Sequence, residues 1–339
     1  MKQSVFKKLY RFTGQVLIVG LLSLLLFELC FRIYVIDFYA DTFDSLNNQM
    51  ESRMDKPTLL IVGDSFSAFK GGYPQTLHDT LPHYRVRNIS VPGTSIIEQF
   101  LFGRYHIKRE QPDVIVFQFY VGNDFLGWRH QLNWEELSAA RNVYWKLSEH
   151  IWSLGYLNHQ LSTFGATIKR DSTVKYAESP FNPDQYSMRD KYYFKSEPGL
   201  VENTAYLKGG RENDLRPYLD RIQKLFDYAT DDTQIFLLMI PHCSQVNKRY
   251  YNRTKQLGAL FSNDFESGST SYPLCDRFIK HFKNDQRVTV LNPISFLQEM
   301  ESQVGNLYFH NDSHLNPVGQ EAIGQYLLRN LKLDKADVD

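Results

Sequence analysis

Thr58-Leu59-Leu60-Ile61-Val62-Gly63-Asp64-Ser65-Phe66 decides the fold class of this chain. Five residues, mostly apolar and without alternation, run straight into Gly-Asp-Ser, the pattern of a strand buried on both faces of a parallel sheet. Gly63 permits a sharp turn, and Asp64 or Ser65 suits the cap of a following helix. Ser65 is thereby expected at the carboxyl end of a strand, with its own N–H at a helix N-terminus. Ligands of open α/β sheets bind at that edge, and helix N-termini favour negative charge. Taken alone, Asp-Ser reads first as a simple N-cap, so the rest of the chain has to decide.

Working outward, a helix is expected near 72–81 and a second strand over Arg85–Val91, leading into Pro92-Gly93-Thr94-Ser95. Ser95 can cap a helix through about Ile107, where Ile96, Ile97, Phe100, Leu101 and Tyr105 form one apolar face. Asp113–Tyr120 reads as a third strand, ending in Val121-Gly122-Asn123-Asp124. A helix near 215–229 precedes a fourth strand, Gln234–Ile240, which Pro241 stops. A helix near 272–283 precedes a fifth, Arg287–Leu291, and a last helix opens at Pro317. Strands alternating with helices imply a three-layer α/β/α sandwich on a five-stranded parallel sheet.

The chain has 339 residues, with Lys+Arg and Asp+Glu both 38, and so lacks the clustered basic excess of a nucleic-acid binder. Residues 16–31 form one long apolar run that only Glu28 interrupts, preceded by Lys2, Lys7, Lys8 and Arg11. This predicts a transmembrane signal anchor over 15–36, a cytoplasmic N-terminus over 1–14 and an exported remainder. A cleaved signal peptide is the alternative, against which stands the lack of a small-x-small site after the run. Residues 37–57 read as a polar tether and 58–334 as the one large α/β domain. Cys30 falls in the anchor. Cys243 and Cys275 either pair in an oxidising compartment or stay as buried thiols.

Between Phe125 and about Asp214 the alternation stops. All four tryptophans lie there, Trp128, Trp134, Trp145 and Trp152, followed by Tyr176, Tyr186, Tyr192 and Tyr193. So long a connection reads as a lid or binding subdomain, whose aromatic rings either stack on a sugar or form the insert's own core.

Near the C-terminus stands Phe309-His310-Asn311-Asp312-Ser313-His314-Leu315-Asn316-Pro317. In an extended segment Asp312 and His314 point the same way, so the carboxylate can reach one imidazole nitrogen and leave the other free. Ser65 then serves as nucleophile, His314 as base and Asp312 as the group that fixes the imidazole tautomer. The N–H groups of Ser65 and Gly93 and the side-chain amide of Asn123 are candidate oxyanion donors. Asp64, Asp124, Trp128 and His310 are candidates for substrate contact, and His310 is also a weaker alternative base.

In their order, and each at the end of a predicted strand, Gly63-Asp64-Ser65-Phe66, Gly93, Gly122-Asn123-Asp124 and Asp312-Ser313-His314 resemble the blocks of the SGNH, or GDSL-type, hydrolase superfamily. The likeness covers residues 58 to about 332 apart from the insert. It implies a flavodoxin-like fold, Ser65 as nucleophile, Gly93 and Asn123 in the oxyanion hole, and Asp312 with His314 completing the triad. Two departures stand out: Phe66 replaces the usual Leu, and the usual Asp-x-x-His becomes Asp-x-His, with Asn311 three residues before His314. An anchored domain of this kind resembles the proteins of bacterial exopolysaccharide O-acetylation. The resemblance therefore implies O-acetyl transfer to, or removal from, a cell-surface polysaccharide, with no cofactor and no metal. Its partners would be an acylated glycan, the membrane and a membrane-bound acyltransferase. A membrane-tethered carboxylesterase or lysophospholipase is the second reading, and a catalytically silent glycan-binding assembly partner the third.

Overall fold

Strands buried on both faces need helices on both faces, and the pattern of burial shows them. The structure is a computed structural model that describes residues 2–126, 139–157 and 178–331. The five strands are β1 (Thr58–Val62), β2 (Arg85–Asn88), β3 (Val114–Tyr120), β4 (Gln234–Ile240) and β5 (Val288–Leu291), all parallel, in the order β2-β1-β3-β4-β5. Leu59 and Ile61 of β1, Val114 and Val116 of β3 and Phe236 and Leu238 of β4 share one core with Tyr73, Leu77, Tyr250, Leu297 and Ile323 of the surrounding helices. On the opposite face Phe117 meets Phe226, and Phe119 meets Tyr218 and Phe278. This is the α/β fold expected from the strand runs.

The helix Ile96–Glu110 starts at a full capping box, in which Ser95 and Glu98 satisfy each other's backbone. Tyr73–Thr80, Arg211–Phe226, Pro273–Phe282 and Pro317–Asn330 take the places of the other expected helices. Within residues 37–57, the helix Ala40–Asn47 ends at Asn47, whose amide exchanges hydrogen bonds of 2.8 and 2.9 Å with the backbone of Asn88 on edge strand β2. That pairing occupies backbone groups which an exposed edge would leave open.

The order 2-1-3-4-5 reverses direction between β1 and β3, and the carboxyl ends on either side of such a reversal frame a crevice. Residues 63–67 leave one of these ends and residues 121–126 the other.

The chain divides into two units, one holding residues 1–40 and 139–167, the other residues 41–138 and 168–339. In the first, Tyr10–Arg32 is a helical stretch of 23 residues whose most apolar 18-residue window has mean hydropathy 2.2, long and apolar enough to cross a bilayer. The helix bearing it runs Lys2–Arg32, and its Leu17, Leu21, Leu24 and Leu25 side chains are exposed. Glu28, the one acid in the run, has a structural role. Its carboxylate accepts the N–H groups of Trp152 and Ser153 at 3.0 and 2.9 Å and the Arg32 Nε at 2.8 Å. It thus caps the first turn of a helix over 152–157, with the Arg32 guanidinium 4.4 Å from the Trp152 ring centre. Trp145 and Trp152 are buried here, as packing residues of this unit. Trp128, Trp134 and Tyr176 lie outside the described residues.

Glu28→Leu leaves two helix-start amides without an acceptor. Amide exchange at 152–157, followed on the detergent-solubilised full chain, should then quicken by about tenfold or more, as expected when a local opening loses its cap.

Candidate active site

The turn after β1 is held by polar side chains buried among apolar strands. Gln118, fully buried in mid-β3, uses its Oε1 to accept the Asp64 N–H and the Ser67 hydroxyl, both at 3.0 Å. Gly63 is required by this approach, because a Cβ there would stand 2.5 Å from that oxygen. Asn88 donates to the Ser67 carbonyl at 2.7 Å, and Gln320, from the last helix, donates to the Phe66 carbonyl at 2.9 Å. The turn is thereby fixed from three directions.

Ser65 does not stand at a helix N-terminus. Residues 64–67 make an isolated turn closed by the Ala68 N–H on the Asp64 carbonyl at 3.0 Å, and the next helix begins only at Tyr73, with Gly72 as its N-cap. The Asp64 side chain accepts the Phe66 N–H at 3.0 Å, a local Asx-type bond that competes with helix continuation.

His314 Nε2 lies 2.7 Å from Ser65 Oγ, and His314 Nδ1 is hydrogen-bonded to Asp312 Oδ1. Asp312 also accepts the His314 N–H at 2.8 Å. The segment is not extended. Tyr308 and Leu315 form an antiparallel bridge, and residues 309–314 curl between them into a tight loop. Inside that curl a two-residue spacing suffices, because Asp312 bends back over its own chain. Phe66 supplies a packing surface: its ring stacks on the His314 imidazole at 4.7 Å and lies tilted against Tyr120 at 3.9 Å.

Gly93 and Asn123 sit on the turns after β2 and β3, on either side of the Ser65 turn in the sheet. Gly93 has φ +76°, a left-handed conformation that favours glycine. Among the described residues, the N–H groups of Ser65 and Gly93 and the amide nitrogen of Asn123 make no hydrogen bond within the chain, while Asn123 Oδ1 is buried. Three neighbouring turns thus present three free donors.

Other candidates are placed elsewhere. Asp64 and Asp124 are 1% and 4% exposed, too deeply buried to touch a substrate, because the β-strand ends close over them. His310 does not join Ser65: its Nε2 pairs with Asn306 Oδ1 at 3.2 Å, and it lines an open cavity of about 340 Å³ with Glu178, Tyr308 and Asn316. Trp128 lies outside the described residues. Cys243 and Cys275 are free buried thiols, pushed up by burial to about 12 and about 11. No group of three or more His, Cys, Asp or Glu among the described residues is placed to hold a metal ion.

The residues that sequence reading missed come from 178–193. Asn311 is 2% exposed, and its amide donates to the Ser179 carbonyl at 2.9 Å, the Ser179 hydroxyl at 3.0 Å and the Pro180 carbonyl at 3.2 Å. Its Oδ1 accepts the Asn182 N–H at 2.7 Å, and its backbone carbonyl accepts the Ser187 N–H at 2.9 Å. The residue three before His314 therefore clasps the returning chain, which leaves the acid role to Asp312. The same clasp seats the helix Met188–Ser196, whose Asp190 accepts the Ser313 N–H at 3.3 Å. Arg189 next to it holds Tyr193 OH at 2.6 Å and would stand 3.3 Å from a Cβ at Gly93. A lone buried-type Asn beside the Asp-x-His was the one available signal.

Charge follows from this geometry. Burial opposes the imidazolium of His314, but the Asp312 carboxylate, with Asp190 and Asp64 behind it, outweighs burial and holds the group up at about 9. Burial likewise opposes the charged form of Asp312, yet the facing imidazole keeps its carboxyl below the usual range. Asp190 is raised to about 6, first by burial and then by the Asp312 charge.

No protein-family model matches the chain, and no curated protein sequence does. Solved structures similar to it include TesA, at 15% identity and TM-score 0.37 over 81% of this chain and 98% of that one. The lipase Lip_vut3 from goat rumen metagenome matches at 11% identity and TM-score 0.38, over 81% and 97%. Axe2, an acetylxylan esterase from Geobacillus stearothermophilus, matches at 13% identity and TM-score 0.40, over 84% and 97%.

A base must be neutral to take a proton, so labelling of Ser65 by a fluorophosphonate should rise with pH and level off only above about 9. Asp312→Asn removes the charge that raises His314; the midpoint should fall back toward about 6.5. The plateau rate should drop on the order of 10³–10⁴-fold as the tautomer is lost. Asn311→Asp sets a carboxylate against the Ser179 and Pro180 carbonyls. Chemical denaturation should show a loss of about 1–3 kcal/mol, with weaker labelling.

Proposed function

We propose that the chain is a serine-dependent acyl ester hydrolase or acyltransferase that works through an acyl enzyme on Ser65. The observation that carries this is the Ser65–His314–Asp312 relay, set beside three free donors on adjacent turns. Neutral His314 takes the proton from Ser65 Oγ as that oxygen attacks the acyl carbonyl, and Asp312 stabilises the resulting imidazolium. The N–H groups of Ser65 and Gly93 and the Asn123 amide receive the oxyanion. His314 then returns its proton to the leaving alkoxide, and the acyl group stays on Ser65. Water or a second hydroxyl, deprotonated by His314 in turn, removes the acyl group in the reverse sequence.

The finer reading is O-acetyl transfer to, or removal from, a cell-surface or exported polysaccharide, with the catalytic domain outside the cytoplasmic membrane. Support comes from the stretch Tyr10–Arg32 as a single-pass anchor with basic residues before it, and from the blocks that resemble the SGNH superfamily. A membrane-bound acyltransferase is the matching partner, since an acyl donor has to reach the exported side. The polar neighbourhood of Ser65, with exposed Arg189 beside Gly93, suits a hydroxylated ligand more than a long alkyl chain.

Detergent-solubilised full chain should take the fluorophosphonate label, and Ser65→Ala and His314→Ala should not. It should also release or transfer acetate from acetylated polysaccharide about tenfold or more faster than it releases long-chain acid from lysophospholipid. Preference for the lipid would move the assignment to the tethered lysophospholipase, and no label on folded protein would remove the enzyme reading.

A further inference from the structure

Asp64 precedes Ser65, Asp124 follows Asn123, and both carboxyl groups are buried, at 1% and 4% exposure. Among the described residues neither is in an ion pair. Each uses an oxygen on local backbone: Asp64 Oδ1 accepts the Phe66 N–H at 3.0 Å, and Asp124 Oδ2 accepts the Tyr120 N–H at 2.7 Å. The other Asp124 oxygen, Oδ1, is buried and receives no N–H or O–H from any other group. The two carboxyl groups themselves lie within hydrogen-bonding reach of each other. Two carboxylates in contact and out of water cannot both stay ionised. Two carboxyl groups with one proton between them make a charge-assisted O–H···O bond, in which the acid donates and the carboxylate accepts.

We propose that Asp64 and Asp124 share one buried proton, and that this carboxyl–carboxylate bond clamps the nucleophile turn after β1 to the oxyanion turn after β3. Asp124 is the acid, because burial and the facing Asp64 charge drive its carboxyl well above the usual range. Arg189 is the cation that acts on both carboxyl groups. The remaining groups that face the pair are Tyr218 of Arg211–Phe226, Tyr73 of Tyr73–Thr80, and His314. Both phenols are held in their neutral form by burial, so the charges around the clamp are those of Arg189 and His314. The pair bridges the reversal between β1 and β3, so it sets the separation of Ser65 from Asn123. Asp64 and Asp124 are thus positioning residues. Their effect on catalysis rests on the acyl-enzyme reading of Ser65, whereas the shared proton does not.

The test uses the full chain in a detergent without carbonyl groups. Infrared difference spectra read the proton, and fluorophosphonate labelling reads the site. Wild type should show a carboxylic-acid C=O band at about pH 8, far above the ordinary carboxylate range, and Asp124→Asn should lose it. Asn at 124 can still donate to Asp64, so labelling should stay within about threefold, whereas Asp124→Leu cannot donate and should lower it about tenfold or more. A missing band, a band that survives Asp124→Asn, or unchanged labelling in Asp124→Leu would overturn the clamp. If wild type shows the band and takes no label, the clamp stands and the hydrolase reading fails on its own.

Discussion

The hydrogen bond between Ser65 and His314 joins residues 249 apart in sequence, and the rest of the catalytic architecture depends on keeping it short. A serine hydroxyl is a poor nucleophile unless a base meets it at hydrogen-bonding distance. Here the base lies on a loop near the end of the chain and the serine on the first turn of the sheet. The fold closes that separation by placing both at the carboxyl edge. Gln118, Asn88 and Gln320 then immobilise the Ser65 turn, and the Tyr308–Leu315 bridge pins the loop that bears His314. Phe66 serves both sides, since it follows Ser65 in sequence and stacks on the imidazole. A leucine there would offer less flat surface to the ring.

The second constraint is charge. Four carboxyl groups, Asp64, Asp124, Asp190 and Asp312, gather around one histidine and one arginine. Left fully ionised, the cluster would repel itself in a partly dry site. It is relieved in three ways: Asp312 pairs with the His314 imidazolium, Asp190 is raised toward neutrality, and Asp124 is driven to its neutral form beside Asp64. The same crowding favours the protonated form of His314 until the pH rises to about 9.

The sheet was legible because its strands are apolar runs with few alternatives: β4 falls on Gln234–Ile240 as read, and β3 and β5 each begin one residue later. The capping box at Ser95 was half legible, since Ser95 was read and Glu98 was not. Ser65 was visible because a reactive residue type stood at a strand end, and Asp312 and His314 because they stood two apart just before the Pro317 helix, although the helix Ile294–Gln303 separates them from β5. Less legible was anything that depends on distant partners. Nothing local marks Gln118 as the acceptor for the Ser65 turn beyond its being polar in Val114–Tyr120. Nothing local shows that Asn311 binds residues 179–182, or that the Asp64 and Asp124 carboxyls meet. Burial decided those two acids. Sequence placed them beside the reacting groups, and the closing strand ends turned them inward, away from any substrate.

The stretch between β3 and the helix Arg211–Phe226 shows how one connection can answer two unrelated demands. Its residues 139–157 belong with the apolar helix, where they satisfy Glu28, an acid that an apolar run could not otherwise hold. Its residues 178–193 belong with the sheet, where Asn311 fixes them and they bring Arg189 and Asp190 to the catalytic turns. Read as a single aromatic insert, the stretch leaves open whether its rings stack on a sugar or form the insert's own core. The two described tryptophans, Trp145 and Trp152, are buried in the first unit, whereas the described residues that this connection brings beside Gly93 and Ser313 are the charged pair Arg189 and Asp190.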